Sequence, residues 1–232
     1  MNLTSSEYRE IARESLRGHW PDAIITMILA SLLGAFSASP LFISRLAAAM
    51  SGAIRLLESI PYFYIIIVTV SSVIAVFYFF IGGAVSFGYI DYNLALLDRR
   101  DCGVGKLFSR FSLIWKAVSM KLALFLVLLA GTCLFLVPGI ILSYSYAMVP
   151  YILEERPLFS VTKAMRESRK MMKRHKWRLF CLRLSFLGWR ILGILTLGLG
   201  NLYAIPYQKL AEAVFYNEIS GRAATYYGRE GE

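Results

Sequence analysis

Residues 122–153 decide the fold, and they read LALFLVLLAGTCLFLVPGIILSYSYAMVPYIL. This run contains no charged side chain and is interrupted only by Pro138-Gly139 and Pro150. A second uncharged run covers Tyr62–Ile81. Runs of about 18 or more apolar residues indicate membrane spans, since about 20 helical residues cross the hydrocarbon core. Backbone groups in lipid have no water to bond, so both runs are predicted to be helical.

The composition of the whole chain agrees with this interpretation. Of the 232 residues, 57% are hydrophobic and 17% are charged, whereas a soluble domain carries about 25% charged residues. Residues 1–19 are polar and do not have the pattern of a cleavable signal peptide, so the first span is predicted to remain as an anchor. We therefore predict an all-α integral membrane helical bundle, with residues 1–232 as a single membrane domain.

Chain breakers and charges divide the chain into about six predicted transmembrane helices. Lys and Arg collect before residue 20, at 98–121 and at 154–177, which predicts cytoplasmic basic segments and two cytoplasmic termini. This arrangement requires the chain to reverse at Pro138-Gly139, because a kink in one long helix would place 154–177 outside. The turn is therefore favoured. The predicted spans are Trp20–Phe36, Tyr62–Ile81, Leu122–Val137, Ile140–Leu153, Arg178–Leu197 and Asn201–Asn217.

Two segments near the first span have amphipathic patterns. Residues 1–19 are predicted to form a cytoplasmic amphipathic helix, which begins with a Thr4-x-x-Glu7 capping box. Residues 37–60 are predicted to form an outer interfacial segment, with a re-entrant segment as the alternative.

A third amphipathic segment, Pro157–Lys176, is strongly basic. It is predicted to be a helix on the inner membrane surface, with its apolar stripe in the lipid boundary and its basic residues on anionic lipid. The alternative is that the stripe packs on the protein's own loops and the charges only orient the spans. The stripe consists of Leu158, Val161, Met165 and Met172, and the basic residues are Lys163, Arg166, Arg169, Lys170, Lys173 and Arg174.

Charged residues inside the last two predicted spans form the candidate polar site. Charges at that depth are rare and usually face protein or water. Arg183 and Arg190 share one face of the fifth span, and Lys209 lies three residues before Glu212 in the sixth. They predict either a polar pathway or binding site, or a structural ion pair between Arg190 and Glu212 that holds the last hairpin together. The tyrosines assigned to the same site are Tyr144, Tyr146, Tyr203 and Tyr207.

Two pairs of segments within the chain are similar to each other. Gly83–Arg100 aligns with Gly139–Arg156 without a gap. The segment Arg13-Glu14-Ser15, followed by His19-Trp20, is echoed by Arg166-Glu167-Ser168, followed by His175 and Trp177. The pattern indicates internal hairpin repeats, each preceded by an amphipathic helix, with shared span composition as the alternative.

The stretch from Val137 to Phe180 resembles a known family. Its Pro-Gly turn is followed by Pro150-Tyr151-Ile152-Leu153, by Ala164-Met165-Arg166-x-Ser168 and by HKWRLF at 175–180. These motifs are similar to the bacterial membrane family called domain of unknown function 975, and the resemblance extends to Gly83–Leu97, Phe186–Tyr216 and Arg17–Trp20. Related patterns occur in the membrane domain of some Gram-positive glycerophosphodiester phosphodiesterases. The resemblance implies a six-helix cell-membrane protein and no particular substrate.

The motifs of catalysis and metal binding are absent from the sequence. The three cysteines have no metal-ligand spacing, and there is no phosphate-binding loop or HExxH motif, so no cofactor and no metal are predicted. The net charge of +10 arises mainly from the basic segments, and no recognition motif indicates nucleic acid.

The predicted function is accordingly that of a non-enzymatic multi-pass protein of the bacterial cell membrane, of interaction, scaffold or accessory type. Its predicted partners are membrane lipids, with anionic lipid at the cytoplasmic face, and a second copy of the chain or another membrane protein. The alternative is a small transporter or channel that works through the polar site around Arg190 and Glu212.

Overall fold

The computed structural model describes residues 3–35, 61–100, 102–134, 136–196 and 199–222. Their regular secondary structure is helical, and no strand occurs within these ranges. The prediction of an all-α chain is confirmed for this part of the molecule. The predicted outer segment at 37–60 lies outside the described residues.

The described chain forms ten α-helices, and two 3₁₀ turns, Val104–Phe108 and Phe111–Leu113, precede the fourth. The helices are α1 (Ser5–Ser15), α2 (Trp20–Leu32), α3 (Pro61–Leu97), α4 (Ile114–Leu134), α5 (Leu136–Ser145), α6 (Val149–Glu155), α7 (Val161–Met171), α8 (Lys176–Ser185), α9 (Leu187–Leu195) and α10 (Leu199–Ile219).

Two helical stretches are long and apolar enough to cross a membrane by length and composition, Val76–Leu97 and Val104–Thr132. On the second stretch Leu122, Phe125 and Leu126 are each more than half exposed. Exposed apolar side chains in such a row indicate contact with a membrane or a partner, because water disfavours them. These stretches indicate membrane association, with two candidate spans in the described residues where six were predicted.

Two of the predicted spans are divided in the structure. Ile140–Leu153 falls on α5 and α6, with a break after Ser145, whose carbonyl accepts a hydrogen bond from the Ser168 hydroxyl at 2.9 Å. Pro150 lies in the first turn of α6, where its missing N–H is not needed. Arg178–Leu197 falls on α8 and α9, which meet at the fully buried Phe186.

The chain reverses between α4, which ends at Leu134, and α5, which begins at Leu136. The predicted reversal is therefore present, but Pro138 and Gly139 lie in the first turn of α5 and do not form the turn itself. A Cβ on Gly139 would lie 2.4 Å from Thr132 Cγ2, and a Cβ on Gly131 would lie 2.6 Å from Leu142 Cδ1. In one straight helix, positions 132 and 139 would be about 10 Å apart along the axis. The contacts therefore require two antiparallel helices, and the two glycines allow their backbones to approach closely.

α1 packs against the bundle through its apolar face. Tyr8, Ala12 and Leu16 are almost completely buried in the main core cluster, to which α3, α6, α8 and α10 also contribute. The ring of Tyr8 meets that of Phe215 edge-on, with 5.5 Å between centroids. At the start of the helix the capping box is present, and the Thr4 N–H and hydroxyl both donate to the Glu7 carboxylate.

α7 is shorter than the predicted helix over Pro157–Lys176. It begins at Val161, and Ser160 is its N-cap, because the Ser160 hydroxyl oxygen accepts a hydrogen bond from the Lys163 N–H at 3.3 Å. The carbonyl of Pro157 accepts a hydrogen bond from the Lys116 ammonium group, so this part of the predicted helix is a turn.

The buried side of α7 also differs from the predicted stripe. Leu158 lies outside the helix and is 96% exposed. Ala164, Ser168 and Met172 are fully buried, and α7 packs on α6 and α4. Of the predicted stripe, Met172 is buried and Val161 and Met165 pack partly buried against the main core cluster. The prediction that the stripe lies in lipid is therefore corrected for these three residues, which pack on the protein itself, as the alternative proposed.

The two aligned segments of the proposed repeat have different structures. Gly83–Leu97 belongs to the continuous helix α3, whereas Gly139–Arg156 spans α5, the break and α6. The residue that aligns with Pro150 in the first segment is Leu94, which lets the helix continue.

Candidate polar site between α8, α9 and α10

A cavity of about 420 Å³ lies where α8, α9 and α10 meet the end of α5. Its wall combines charged and polar groups with apolar side chains. The lining residues are Tyr144, Phe180, Arg183, Leu184, Leu187, Arg190, Gln208, Lys209 and Glu212.

Glu212 is the buried centre of this site. Its side chain is 4% exposed, and its Oε1 accepts hydrogen bonds from Arg183 Nε at 2.9 Å and Gln208 Nε2 at 3.3 Å. Its Oε2 accepts a hydrogen bond from Lys209 Nζ at 2.9 Å. Gln208 and Lys209 lie four and three residues before Glu212, so α10 presents all three on adjacent positions of one face. A buried carboxylate requires such partners, because burial alone would disfavour its charge.

Arg183 reaches Glu212 from α8. Its guanidinium also lies over the ring of Tyr144, 5.3 Å from the centroid, in the geometry of a cation–π contact. Arg183 thus links α5, α8 and α10 across the cavity. In the described residues, its hydrogen bonding to Glu212 uses Nε alone.

The prediction of an Arg190–Glu212 ion pair is wrong about the arginine. Arg183 and Lys209 bind the carboxylate, whereas Arg190 is exposed on the cavity wall and has no ion pair with another described residue. The sequence argument assumed one straight helix over 178–197 and therefore placed Arg190 at the depth of Glu212. The division at Phe186 starts a new helix, so that depth does not apply. The sequence did contain a signal for the correct partner, because Arg183 lies seven residues before Arg190 on the same face of the predicted span.

The predicted tyrosines divide between the cavity and other places. Tyr144 lines the cavity, whereas Tyr146 is not among the lining residues and packs against the main core cluster. The Tyr207 hydroxyl donates to the Arg9 carbonyl at 2.8 Å, so this side chain faces α1. Tyr203 is 56% exposed and its ring lies 5.7 Å from that of Trp20. Of the predicted set, the structure thus brings together Arg190, Lys209, Glu212 and Tyr144.

A second polar cluster joins α1, α8 and α10. The Glu218 carboxylate accepts hydrogen bonds from Arg178 at 2.8 Å and from the Tyr8 hydroxyl. Arg178 also donates to the Leu3 carbonyl at 3.1 Å, which attaches the start of the chain to α8. Burial and the hydrogen bond to Glu218 raise the pKa of Tyr8 above its ordinary value. This cluster has the geometry of a structural clamp.

His175 lies beside the clamp and precedes α8. Its Nδ1 lies 3.0 Å from Arg178 Nη1, and because a guanidinium can only donate, Nδ1 accepts and the imidazole is neutral in this contact. Burial lowers the pKa of His175, and the positive charge of Arg178 lowers it further, while Glu218 acts in the opposite direction.

The six predicted lipid-contact residues on and after α7 are all exposed. The helix buries its other side in the protein, so these cations share the outward side. Two of them have contacts in the structure, since Lys170 pairs with Glu167 at 3.2 Å and the Lys163 ammonium lies 3.9 Å from the centre of the Phe159 ring. The six are Lys163, Arg166, Arg169, Lys170, Lys173 and Arg174.

Comparison with known proteins gives a match to a protein family. Residues 116–223 match the family described as "Protein of unknown function (DUF975)". No curated protein and no solved structure shows significant similarity to the chain. The part of the resemblance at Gly83–Leu97 and Arg17–Trp20 lies outside the matched range, and the related phosphodiesterase membrane domains are not among the matches. The matched range contains α5–α10, the cavity and the basic face, and over these residues the chain is similar to the DUF975 family, a family of unknown function.

Proposed function

We propose that this chain is a non-enzymatic, multi-pass protein of the bacterial cell membrane that acts by binding, as a scaffold or accessory protein. Its proposed partner at the cytoplasmic face is anionic lipid. The observation that carries the proposal is the outward basic side of α7 and of the turn that follows it, which we call the basic face. It consists of Lys163, Arg166, Arg169, Lys170, Lys173 and Arg174.

The packing of α7 supports this assignment. The apolar side of a basic amphipathic helix can pack against lipid or against protein. Here Ala164, Ser168 and Met172 are buried in protein. The cations are then held on the opposite side by a helix fixed to the bundle. Each Lys or Arg near an anionic surface contributes about 1 kcal/mol of attraction. Glu167 is the single acid on α7, so the attraction is little reduced.

The basic face also has apolar neighbours suited to a membrane interface. Leu158, before α7, is 96% exposed, and Trp177, after it, is 72% exposed. Tryptophan is enriched at the boundary between headgroups and hydrocarbon, where its amphipathic ring is stable. A surface that combines outward cations with exposed Leu and Trp side chains fits a lipid interface better than it fits water.

Lipid composition around the purified protein tests the proposal. The full chain is reconstituted in bilayers that contain equal amounts of phosphatidylglycerol and phosphatidylcholine. It is then extracted in polymer discs, and the lipids that remain around it are counted by mass spectrometry. We expect phosphatidylglycerol to be enriched about twofold. The variant R166Q/R169Q/R174Q should reduce the enrichment, whereas R166K/R169K/R174K, which keeps the charges, should retain it. Equal enrichment in the two variants would contradict the proposal.

The six-span topology with cytoplasmic termini belongs to the same proposal. In a variant whose native cysteines are replaced by alanine, Ser51→Cys should react with an impermeant thiol reagent in intact cells. Thr162→Cys, on the exposed side of α7, should react only after the cells are opened. Labelling of Thr162→Cys in intact cells would show that α7 lies outside the cell, which is the opposite of the proposed topology. A cytoplasmic lipid contact would then have no basis.

Transport or channel activity is the second candidate, and the cavity is the observation that favours it. Charged groups around a cavity next to apolar helices are typical of substrate and ion pathways. A transporter requires access from both sides, so the chain in vesicles should move a charged solute and an Arg183→Gln variant should not. Vesicles that remain tight to anions and cations alike would favour the scaffold assignment.

A further inference from the structure

We propose that the cavity between α5, α8, α9 and α10 is a binding site for a phosphate group, and that its apolar wall selects phosphate carried on an alkyl chain. The site and the basic face share no residue, so this inference does not rest on the proposed scaffold function.

The first argument is the charge of the cavity. Arg183, Arg190 and Lys209 contribute three positive charges, and Glu212 contributes one negative charge. The carboxylate is shared between Arg183 and Lys209 and compensates one charge. The wall therefore has a net charge of about +2, which matches a phosphate monoester in its dianionic form.

The second argument is the supply of hydrogen-bond donors. Arg183 binds Glu212 through Nε, so its two Nη groups can donate to a ligand. The guanidinium of Arg190 has no ion pair among the described residues. Guanidinium groups present planar forks of N–H donors that bind phosphate oxygens in pairs. The Glu212 carboxylate orients Arg183, so one of the two forks is already positioned before a ligand arrives.

The third argument is the apolar part of the wall. Phe180, Leu184 and Leu187 line the cavity beside the arginines. Leu184 and Leu187 are about half exposed, at 51% and 48%, and Ile191 continues the exposed apolar surface along α9 at 51%. An inorganic anion gains nothing from such a surface, whereas an alkyl chain is stabilised by leaving water. The volume of about 420 Å³ also lies in the usual range of small-molecule sites, about 300–1,000 Å³.

Three short ligands test whether the cavity recognises the phosphate group, the alkyl chain or both. The full chain in a neutral detergent is titrated with hexyl phosphate, inorganic phosphate and hexyltrimethylammonium, and binding is measured by thermophoresis. We expect saturable binding of hexyl phosphate, binding of inorganic phosphate weaker by about 10-fold or more, and no binding of the cationic amphiphile. Equal affinity for the two phosphates would overturn the selection of an alkyl chain. Equal binding of the cation would overturn the anion site itself.

Variants of Arg190 complete the test, because this exposed side chain can change without loss of the fold. Arg190→Gln should weaken hexyl phosphate binding by about 10-fold, and Arg190→Lys should weaken it less. Arg13→Gln, which changes an exposed arginine of α1 outside both the cavity and the basic face, is the matched control and should bind as the parent protein does. Unchanged affinity in Arg190→Gln, with an unchanged melting temperature, would refute the site while leaving the lipid-binding proposal for α7 intact.

Discussion

The ion-pair network around Glu212 makes a quantitative prediction for stability. Glu212→Leu leaves Arg183 and Lys209 without their shared carboxylate, and Arg183→Leu leaves the buried carboxylate with the Lys209 ammonium and the Gln208 amide. Breaking a fully buried pair costs about 3–5 kcal/mol, whereas an exposed pair contributes about 0–1 kcal/mol. Here Glu212 is 4% exposed and its partners are 33% and 32% exposed, so the protein encloses the cations only in part. We expect each change to reduce the free energy of unfolding by about 2–3 kcal/mol.

The control is Arg190→Leu, a change of the same type on the same cavity wall. Because Arg190 is exposed and not paired with Glu212, the loss should stay within about 0.5 kcal/mol. The double variant R183L/E212L should lose at least about 1 kcal/mol less than the sum of the single losses, since the second change no longer breaks a contact. Unfolding of the purified chain in mixed micelles, followed by circular dichroism against the mole fraction of dodecyl sulfate, measures these differences. Additive losses, or a loss for Arg190→Leu as large as for Arg183→Leu, would refute the pairing.

Two further predictions concern pH and backbone packing. Because the pKa of His175 is lowered in the folded chain, its stabilising contribution is present above the ordinary pKa of 6.5 and is lost as pH falls through the folded value. As the pH is reduced from 6.5, the melting temperature should therefore decrease, and it should decrease less in His175→Gln than in the His19→Gln control. Identical slopes for the two variants would exclude His175 as the titrating group. Gly88→Ala should destabilise the chain by about 1–3 kcal/mol, because a Cβ there would lie 2.3 Å from the Leu107 carbonyl oxygen. Gly105→Ala, where no atom lies within 4 Å of the added Cβ, should be neutral, and equal melting temperatures for the two variants would show that the contact between α3 and the 3₁₀ turn yields without cost.

The apolar runs and breakers predicted the helices well, but they did not predict where helices divide. Asn201–Asn217 corresponds closely to α10, whereas the predicted span from Leu122 falls within α4 only as far as Leu134, and α4 begins eight residues earlier, at Ile114. The breaks after Ser145 and at Phe186 depend on tertiary contacts, namely the hydrogen bond from Ser168 and the burial of Phe186. No local pattern of charge or hydrophobicity contains that information.

The candidate site was predicted in the right region and with one wrong pairing. Lys209 and Glu212 were recognisable because charges in an apolar helix are expensive and rarely lack a partner. The partner across the helices depended on the break at Phe186, which changes the relation between Arg183 and Arg190. Tyr144 was among the predicted residues, and the structure adds Gln208, which lies four residues before Glu212 and donates to its Oε1.

The segment before the first predicted span and the segment at 161–186 have similar structures. The residues that correspond in the structure differ from those that were aligned in the sequence. α1 and α7 each have 11 residues, and each is followed by a turn that ends in a histidine N-cap, His19 or His175. With the histidines aligned, Ala12 coincides with Ser168 and Leu16 with Met172, and all four are buried. The Arg-Glu-Ser motifs do not coincide in that register. Buried positions and the turn, not the charged motif, therefore define the shared unit.

This shared unit separates the role of charge from the role of packing. Both helices bury the same positions, yet the exposed side of α1 mixes Glu7, Glu10 and Glu14 with arginines, whereas α7 carries one acid. Packing on the bundle therefore does not require a basic helix, since α1 packs equally well without one. Orientation of the spans depends on Lys and Arg in the segment and is little affected by acids, so it does not explain why acids are nearly absent from α7. Attraction to an anionic surface does explain it, because each acid would subtract from the summed charge. The contrast between two helices of one architecture thus supports a lipid contact for α7 and predicts that exchanging their outward charges would move the phosphatidylglycerol enrichment to α1.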